Sequence, residues 1–308
     1  MTDSTVRSVL SQIGSVVDDL PADSAVSLRV DGEKAERRST KDIDIIPKTD
    51  RDGIDVRVAP GSRHGNVHIP VVLTKSGFRD TVYNDFYIGE GAEVEIVAGC
   101  GIHNCGCDTS QHDGVHTFHI GKNARVIYRE KHYGEGEGGG KRVLNPRTEI
   151  YLDEGAQLTM DTAQIAGVDD TKRYTKAVLG PGAEFIVQEK LLTHDDQHAD
   201  SEMDVVLEGK GSRTRVISRS VAKDSSVQIF YPRVQGNSEC FGHVSCDAII
   251  MGAARVRSIP EIACNDVNAT LIHEAAIGRI AGDQLLKLTT LGLTPEQAEE
   301  KILEGFLR

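Results

Sequence analysis

The chain has 308 residues, enough for one large domain or two and for a sizeable core. Its formal charge of -12 argues against nucleic acid, because proteins that grip a phosphate backbone carry a basic face. No apolar run approaches the ~20 residues of a membrane helix, the start MTDSTVRS lacks a signal-peptide core, and six cysteines without such a signal read as reduced thiols, so a soluble, cytoplasmic protein is expected.

Positions 4–17 put Val6, Val9, Leu10, Ile13 and Val17 on one helical face, which predicts a short amphipathic helix. From Ala25 the period changes to two. Val26, Leu28 and Val30 alternate ahead of Asp31-Gly32, a hairpin signal, and Ile54, Val56 and Val58 repeat the pattern. The polar stretch 33–52 between them has no strong periodicity and is expected to be a mobile loop.

Beyond Asp85 a small pair recurs ahead of an alternating strand. Gly91-Ala92 leads into Val94 and Ile96, Asn123-Ala124 into Val126 and Tyr128, Gly155-Ala156 into Leu158 and Met160, and Gly182-Ala183 into Phe185 and Val187. Gly211-Ser212 and Ser225-Ser226 open weaker copies. The small positions 92, 124, 156, 183 and 212 are separated by 32, 32, 27 and 29 residues. Strand repeats at a near-fixed period with almost no helix indicate a solenoid, in which a coil buries its inward side chains only when the next coil stacks on it. An antiparallel sandwich with similar turns is the alternative.

Positions 100–119, CGIHNCGCDTSQHDGVHTFH, hold three Cys and four His. Cys100 shares strand parity with Val94, Ile96 and Ala98, so it is expected to point inward. Cys105 and Cys107 lie in a turn, one glycine apart. Thiolate and imidazole density of this kind suits zinc or iron, although the spacing is not that of a zinc ribbon; the competing reading makes His112, His116 and His119 exposed or hydrogen-bonded strand residues. The glycine-rich 134–142, GEGEGGGKR, lacks the phosphate-loop order and is read as surface turn. His194 and His198, among Asp195, Asp196 and Asp200, are read as a solvated turn with some capacity for an ion.

Positions 246–274 open with a thiol and close with His273 and Glu274. Strand parity puts Cys246 with Ala248 and Ile250 on one face; it groups Leu271 with His273 and sends Glu274 to the other side. Taken alone, these residues suit a small buried thiol and a core histidine as well as a metal site. Cys240 and Cys264 are read as structural. Two short helices close the chain: one carries Leu285, Leu288 and Leu291 and stops at Gly292. The other starts with Thr294 as cap, Pro295 and the capping-box residue Gln297, and carries the stripe Ala298, Ile302 and Phe306.

This ending resembles that of the SufB/SufD family of iron-sulfur cluster assembly proteins, approximately H-x-A-T-x-x-x-I-x-x-x-Q-L-F-Y-L-x-x-R-G-I-x-x-x-x-A. The matching residues are His273, Ala275, Ile280, Gln284, Leu285, Leu288, Gly292, Leu293 and Ala298. CDAIIMG, from Cys246, is similar to the family's C-D-S-x-x-x-G, and the Ala-Gly-Cys-Gly around Cys100 to its G-C segment. Departures are Ala276 in place of Thr, Ile272 where SufB has glutamate, and no tryptophan anywhere.

The resemblance implies a mainly β fold: a right-handed parallel β-helix core over 81–265, a helix and small β region over 1–80, and the end of the core plus an ATPase-binding helical segment over 266–308. It further implies Cys100 as sulfur acceptor and Cys246, Glu274 and His273 as the residues that nucleate an iron-sulfur cluster of unstated nuclearity. Cys105 and Cys107 are additional metal candidates, from the thiolate and imidazole density of 100–119 rather than from the resemblance. The implied partners are an ABC-type ATPase bound by the C-terminal helices, a cysteine desulfurase as sulfur donor, and a second copy in a homodimer. A flavin is an open option that no motif supports.

The leading expectation is therefore a non-catalytic scaffold for cluster assembly and transfer. Its alternatives are a SufD-like structural partner without its own cluster and a zinc-stabilised β-helix interaction protein. A carbohydrate-active enzyme fits poorly with 5% aromatic residues and no Trp, because sugar faces stack on aromatics.

Overall fold

Period-two alternation decides most of the architecture. In the strand Gln157–Ala166 the residues Leu158, Met160, Thr162 and Gln164 are buried and their neighbours are not. The same one-in, one-out pattern recurs in strand after strand, which suits a sheet with one face on a core. The computed structural model, which describes residues 4–307, resolves this into a β-solenoid of about eight turns, with one helix before it and two after it.

Successive strands alternate between two sheets, so each coil gives one strand to each. Sheet one begins with the hairpin Ala25–Val30 and Glu33–Arg38. It then stacks Gly65–Leu73, Glu93–His103, Arg125–Glu135, Gln157–Ala166, Glu184–Thr193, Arg213–Ala222, Phe241–Ile250 and Thr270–Gly278 in parallel. Sheet two runs from Ile43–Pro47 through Gly53–Val58, Arg79–Ile88, Ser110–Ile120, the broken pair Arg142–Leu144 and Arg147–Leu152, Asp170–Leu179, His198–Leu207 and Val227–Gly236. It ends in Arg255–Ser258 and Glu261–Cys264.

The repeated small pairs sit at one edge, where the chain passes from sheet two to sheet one. Gly91, Asn123, Gly155, Gly182 and Gly211 all have φ between 54° and 76°, a region that Gly and Asn enter at least cost. Ala92, Ala124, Ala156, Ala183 and Ser212 then turn fully inward, each with 0% exposure. Adjacent turns hydrogen-bond to one another, as in Gly91 N to Lys122 O at 2.8 Å and Gly211 N to Glu239 O at 2.7 Å. Cys240 begins the next coil at the equivalent place and is buried, which accounts for it as one more small stack residue. Ser225-Ser226 belongs to the opposite edge and is not a copy of this turn.

Two expectations at the N-terminal end differ in outcome. The helix forms over Ser4–Gln12, and Val6, Val9, Leu10, Ile13 and Val17 are all buried. It lies on the outer face of sheet one, where Gly99 and Gly101 leave room: a Cβ on Gly101 would stand 2.0 Å from Val9 Cγ1. The stretch 33–52, expected as a loop, instead holds two edge strands, Glu33–Arg38 and Ile43–Pro47. Their periodicity is hidden because the first is polar on both faces and the second buries only Ile43 and Ile45.

At the other end the capping box of Pro295–Phe306 forms as the sequence predicts: Thr294 accepts from Gln297 N, and the Gln297 side chain returns to Thr294 N. The buried residues of this helix are Ala298 and Leu303, while Ile302 and Phe306 are half-buried. The preceding helix, Gly282–Thr290, buries none of its residues, and Leu286 and Leu291 stand exposed.

Candidate functional site

Inward positions of sheet one form rows that run along the solenoid axis. One row is apolar: Ile96, Tyr128, Met160, Val187, Val216 and Val244, ending at His273. Beside it runs Ala98, Glu130, Thr162, Glu189, Ser218 and Cys246, then Cys100, His132, Gln164, Leu191, Ser220 and Ala248. Cys100 and Cys246 thus sit in neighbouring rows, five strand spacings apart. At ~4.8 Å per spacing they are about 24 Å apart along the axis.

The interior between them is polar and charged. Arg173, from sheet two, reaches across to pair with the Glu130 carboxylate, and its Nε lies 3.9 Å from Glu189 Oε1. All three side chains are less than a tenth exposed. Glu189 also accepts from Ser201 Oγ at 2.7 Å and from Ser218 Oγ at 3.0 Å. Burial opposes ionisation of Glu130, yet the Arg173 guanidinium, helped by His132, outweighs it and holds the carboxyl well below its usual range. For Arg173 burial works to lower the pKa, but the pull of Glu130 and Glu189 outweighs it and leaves the pKa raised.

Near Cys100 the interior leaves a cavity of about 20 Å³, room for about one water molecule, lined by Asn84, His112, His116, Glu130 and His132. Burial drives the Cys100 thiol pKa well up, reinforced by Asp80, Glu130 and Asp113. Burial also brings His116 down to about 4, Glu130 acting in the opposite sense, and His116 Nδ1 bonds the Tyr128 hydroxyl at 2.9 Å. Asp80 falls to about 2, because His112 and Arg29 overcome its burial.

At the far end, Cys246 is buried and its Sγ lies 3.5 Å from His273 Nε2 on the last strand. Burial raises this thiol to about 11, while a bond with Ser258 works the other way. His273 is lowered by burial and by His243. Glu274 lies on the opposite face of the strand, 69% exposed, and its Oε2 is 3.3 Å from His243 Nε2. The fold brings Cys246 and His273 together and sets Glu274 with a histidine that the sequence analysis did not single out.

The Cys- and His-rich segment 100–119 does not gather at one point. His112 and His116 face the interior with Cys100, whereas His119 is outside, stacked between Tyr87 and Tyr151 at centroid distances of 5.1 and 5.5 Å. Cys105 and Cys107 are exposed on the turn, with Cys105 Sγ 3.0 Å from His103 Nε2. Cys264 is exposed as well. Among the described residues, the one group of three His, Cys, Asp or Glu donors within 4.8 Å of one another is His194, Asp195 and Asp224 at a surface turn.

Glu130, His132, Arg173 and Glu189 were missed by the sequence reading. Their signal was available as charged or ionisable residues at the inward parity of strands, a placement that a solenoid tolerates only when they pair.

Residues 81–306 match the family model described as the SufBD core domain of the SUF system for FeS cluster assembly. A protein of Methanothermobacter thermautotrophicus, named as an iron-sulfur cluster assembly SufBD family protein, is 30% identical over 268 residues, covering 83% of this chain and 62% of its own length. A protein of the same name from Archaeoglobus fulgidus is 28% identical, with 84% and 69% covered. A chloroplastic SufBD family protein of Arabidopsis thaliana is 28% identical, with 71% and 41% covered. The chain therefore spans about three fifths of the length of the Methanothermobacter relative.

Proposed function

We propose, from the premise that this chain belongs to the SufBD family of iron-sulfur cluster assembly proteins, that it is the scaffold subunit on which iron and sulfide combine. The observation that carries the reading is the Cys246 and His273 pair, 3.5 Å apart, at the end of an interior polar path that begins beside Cys100. The cluster is cargo. A thiolate and an imidazole suit iron, and the outward Glu274 offers a carboxylate from the rim.

In this reading Cys100 takes up sulfur originating from a cysteine desulfurase, and sulfur moves inside the coils toward Cys246. The last coil leaves sheet edges unpaired and exposes Ile259, Ile262, Ile272 and Ile277, features that suit a contact with a second copy in a homodimer. The C-terminal helices, with Leu286 and Leu291 exposed, are the proposed contact for an ABC-type ATPase in the cytoplasm. A SufD-like role without its own cluster is the second reading, favoured by the orientation of Glu274 away from Cys246.

Anaerobic reconstitution of the full chain with iron and sulfide separates the two. The scaffold reading expects visible charge-transfer absorption and acid-labile sulfide, largely lost in Cys246→Ala and reduced in His273→Ala. Absence of colour in the wild-type chain, or colour indifferent to Cys246→Ala, would sink it. Co-purification with an ABC-type ATPase of the same cell tests the partner.

A further inference from the structure

The turn between Glu93–His103 and Ser110–Ile120 aligns a thiol, an imidazole and a carboxylate at the surface. Cys105 Sγ is 3.0 Å from His103 Nε2, His103 Nδ1 is 2.9 Å from Glu135 Oε1, and Glu135 Oε2 accepts from the Tyr133 hydroxyl at 2.9 Å. The parallel register places His103 directly opposite Glu135, 32 residues later. With the Nδ1 proton given to Glu135, the Nε2 lone pair faces the thiol, so the imidazole can take the thiol proton as sulfur attacks.

The turn is held in place. Asn104 Nδ2 donates to Asp108 O at 2.8 Å, and Asn104 Oδ1 accepts from Gly106 N at 3.1 Å. The glycine-rich segment lies against it, backbone on backbone, with Gly140 N to Gly106 O at 2.9 Å. A Cβ on Gly138 would stand 2.2 Å from Gly106 O and one on Gly140 2.1 Å from Asp108 O, which explains these two glycines without a ligand. Cys107, also exposed, makes no side-chain hydrogen bond among the described residues.

Cys100 is in the opposite situation. It is 4% exposed, and the N-terminal helix lies on the outer side of its strand over Gly99 and Gly101. A thiol carried by another macromolecule has no route to it in this arrangement, so sulfur destined for the interior needs an earlier point of entry.

Resting on the scaffold reading above, we propose that Cys105 is the surface acceptor of sulfane sulfur from a cysteine persulfide, with His103 as its base and Glu135 as the residue that positions His103. The Cys105 proton passes to His103 Nε2, and the thiolate sulfur forms a bond to the terminal sulfur of the donor R–S–SH. The donor S–S bond breaks, its electron pair leaves on R–S⁻, and that thiolate takes the proton back from His103. One S–S bond replaces another, with no net oxidation or reduction.

The test uses the full chain without iron, treated briefly with limiting glutathione persulfide at pH 7.5, and mass mapping of the added sulfur over all six cysteines. Sulfur is expected first on Cys105, and uptake should fall at least tenfold in Cys105→Ser. His103→Ala should slow it about tenfold or more, with rescue by added imidazole. Glu135→Gln should slow it and Glu135→Asp recover most of the rate, a pattern that a merely structural role does not produce. Sulfur arriving as fast on Cys107 or Cys264, or a rate indifferent to His103→Ala, overturns the proposal. The scaffold reading fails separately, if the wild-type chain forms no cluster from inorganic iron and sulfide while Cys105 still accepts persulfide sulfur.

Discussion

Replacing Arg173 by Met should destabilise the protein by about 3–5 kcal/mol, because it strands the Glu130 carboxylate in the interior without its cation. Both partners are nearly inaccessible, at 7% and 3% side-chain exposure, so water cannot take over the role of the guanidinium. Unfolding entropy is about 2.1 cal/mol/K per residue, which for a chain of this size makes the loss about 5–8 °C in Tm. Differential scanning calorimetry at pH 7.5 reads it directly. The double variant Arg173→Met with Glu130→Gln should recover at least half of the deficit, since both charges leave together.

The pH dependence has a definite sign. In the native chain the folded pKa of Glu130 is depressed, so its stabilisation is complete above the unfolded value of about 4.3 and disappears as pH falls through the folded value. Without Arg173, burial acts with less opposition and the folded pKa rises above the unfolded one. Protonation then relieves the penalty, and the Tm deficit of the variant should shrink between pH 8 and pH 5. A Tm drop under about 2 °C, or a double variant no better than the single one, would refute the claim that the pair is held as ions inside the coils.

Two further predictions follow from burial. In native protein at neutral pH, N-ethylmaleimide should label Cys105 and Cys107 quickly and Cys100, Cys240 and Cys246 about a hundredfold more slowly, with the difference lost in urea; fast labelling of Cys100 would mean that the solenoid opens there. Gly101→Val puts side-chain atoms where Val9 lies, at an overpacking cost of about 1–3 kcal/mol, and should loosen the Ser4–Gln12 helix while the coils stay folded. Faster tryptic cleavage at Arg7 with an unchanged far-ultraviolet strand signal checks it.

The chain's own sequence determined the kind of fold, because its causes are local. Alternation at period two fixes which side chains of a strand face inward, and a Gly or Asn ahead of a small residue fixes where a coil turns. The inward orientation of Cys100 and the separation of His273 from Glu274 follow from the same parity. Thr294, Pro295 and Gln297 define a helix start within four residues of one another.

Which residues meet across coils was decided only by the tertiary structure. Register depends on the length of every intervening turn, and coil lengths vary, so no local pattern aligns His103 with Glu135, Glu130 with Arg173 on the facing sheet, or Cys246 with His273. The seven Cys and His residues of 100–119 look like one cluster along the chain. The strands distribute them among the interior, the outer face and an exposed turn, because neighbouring positions in a strand point to opposite sides.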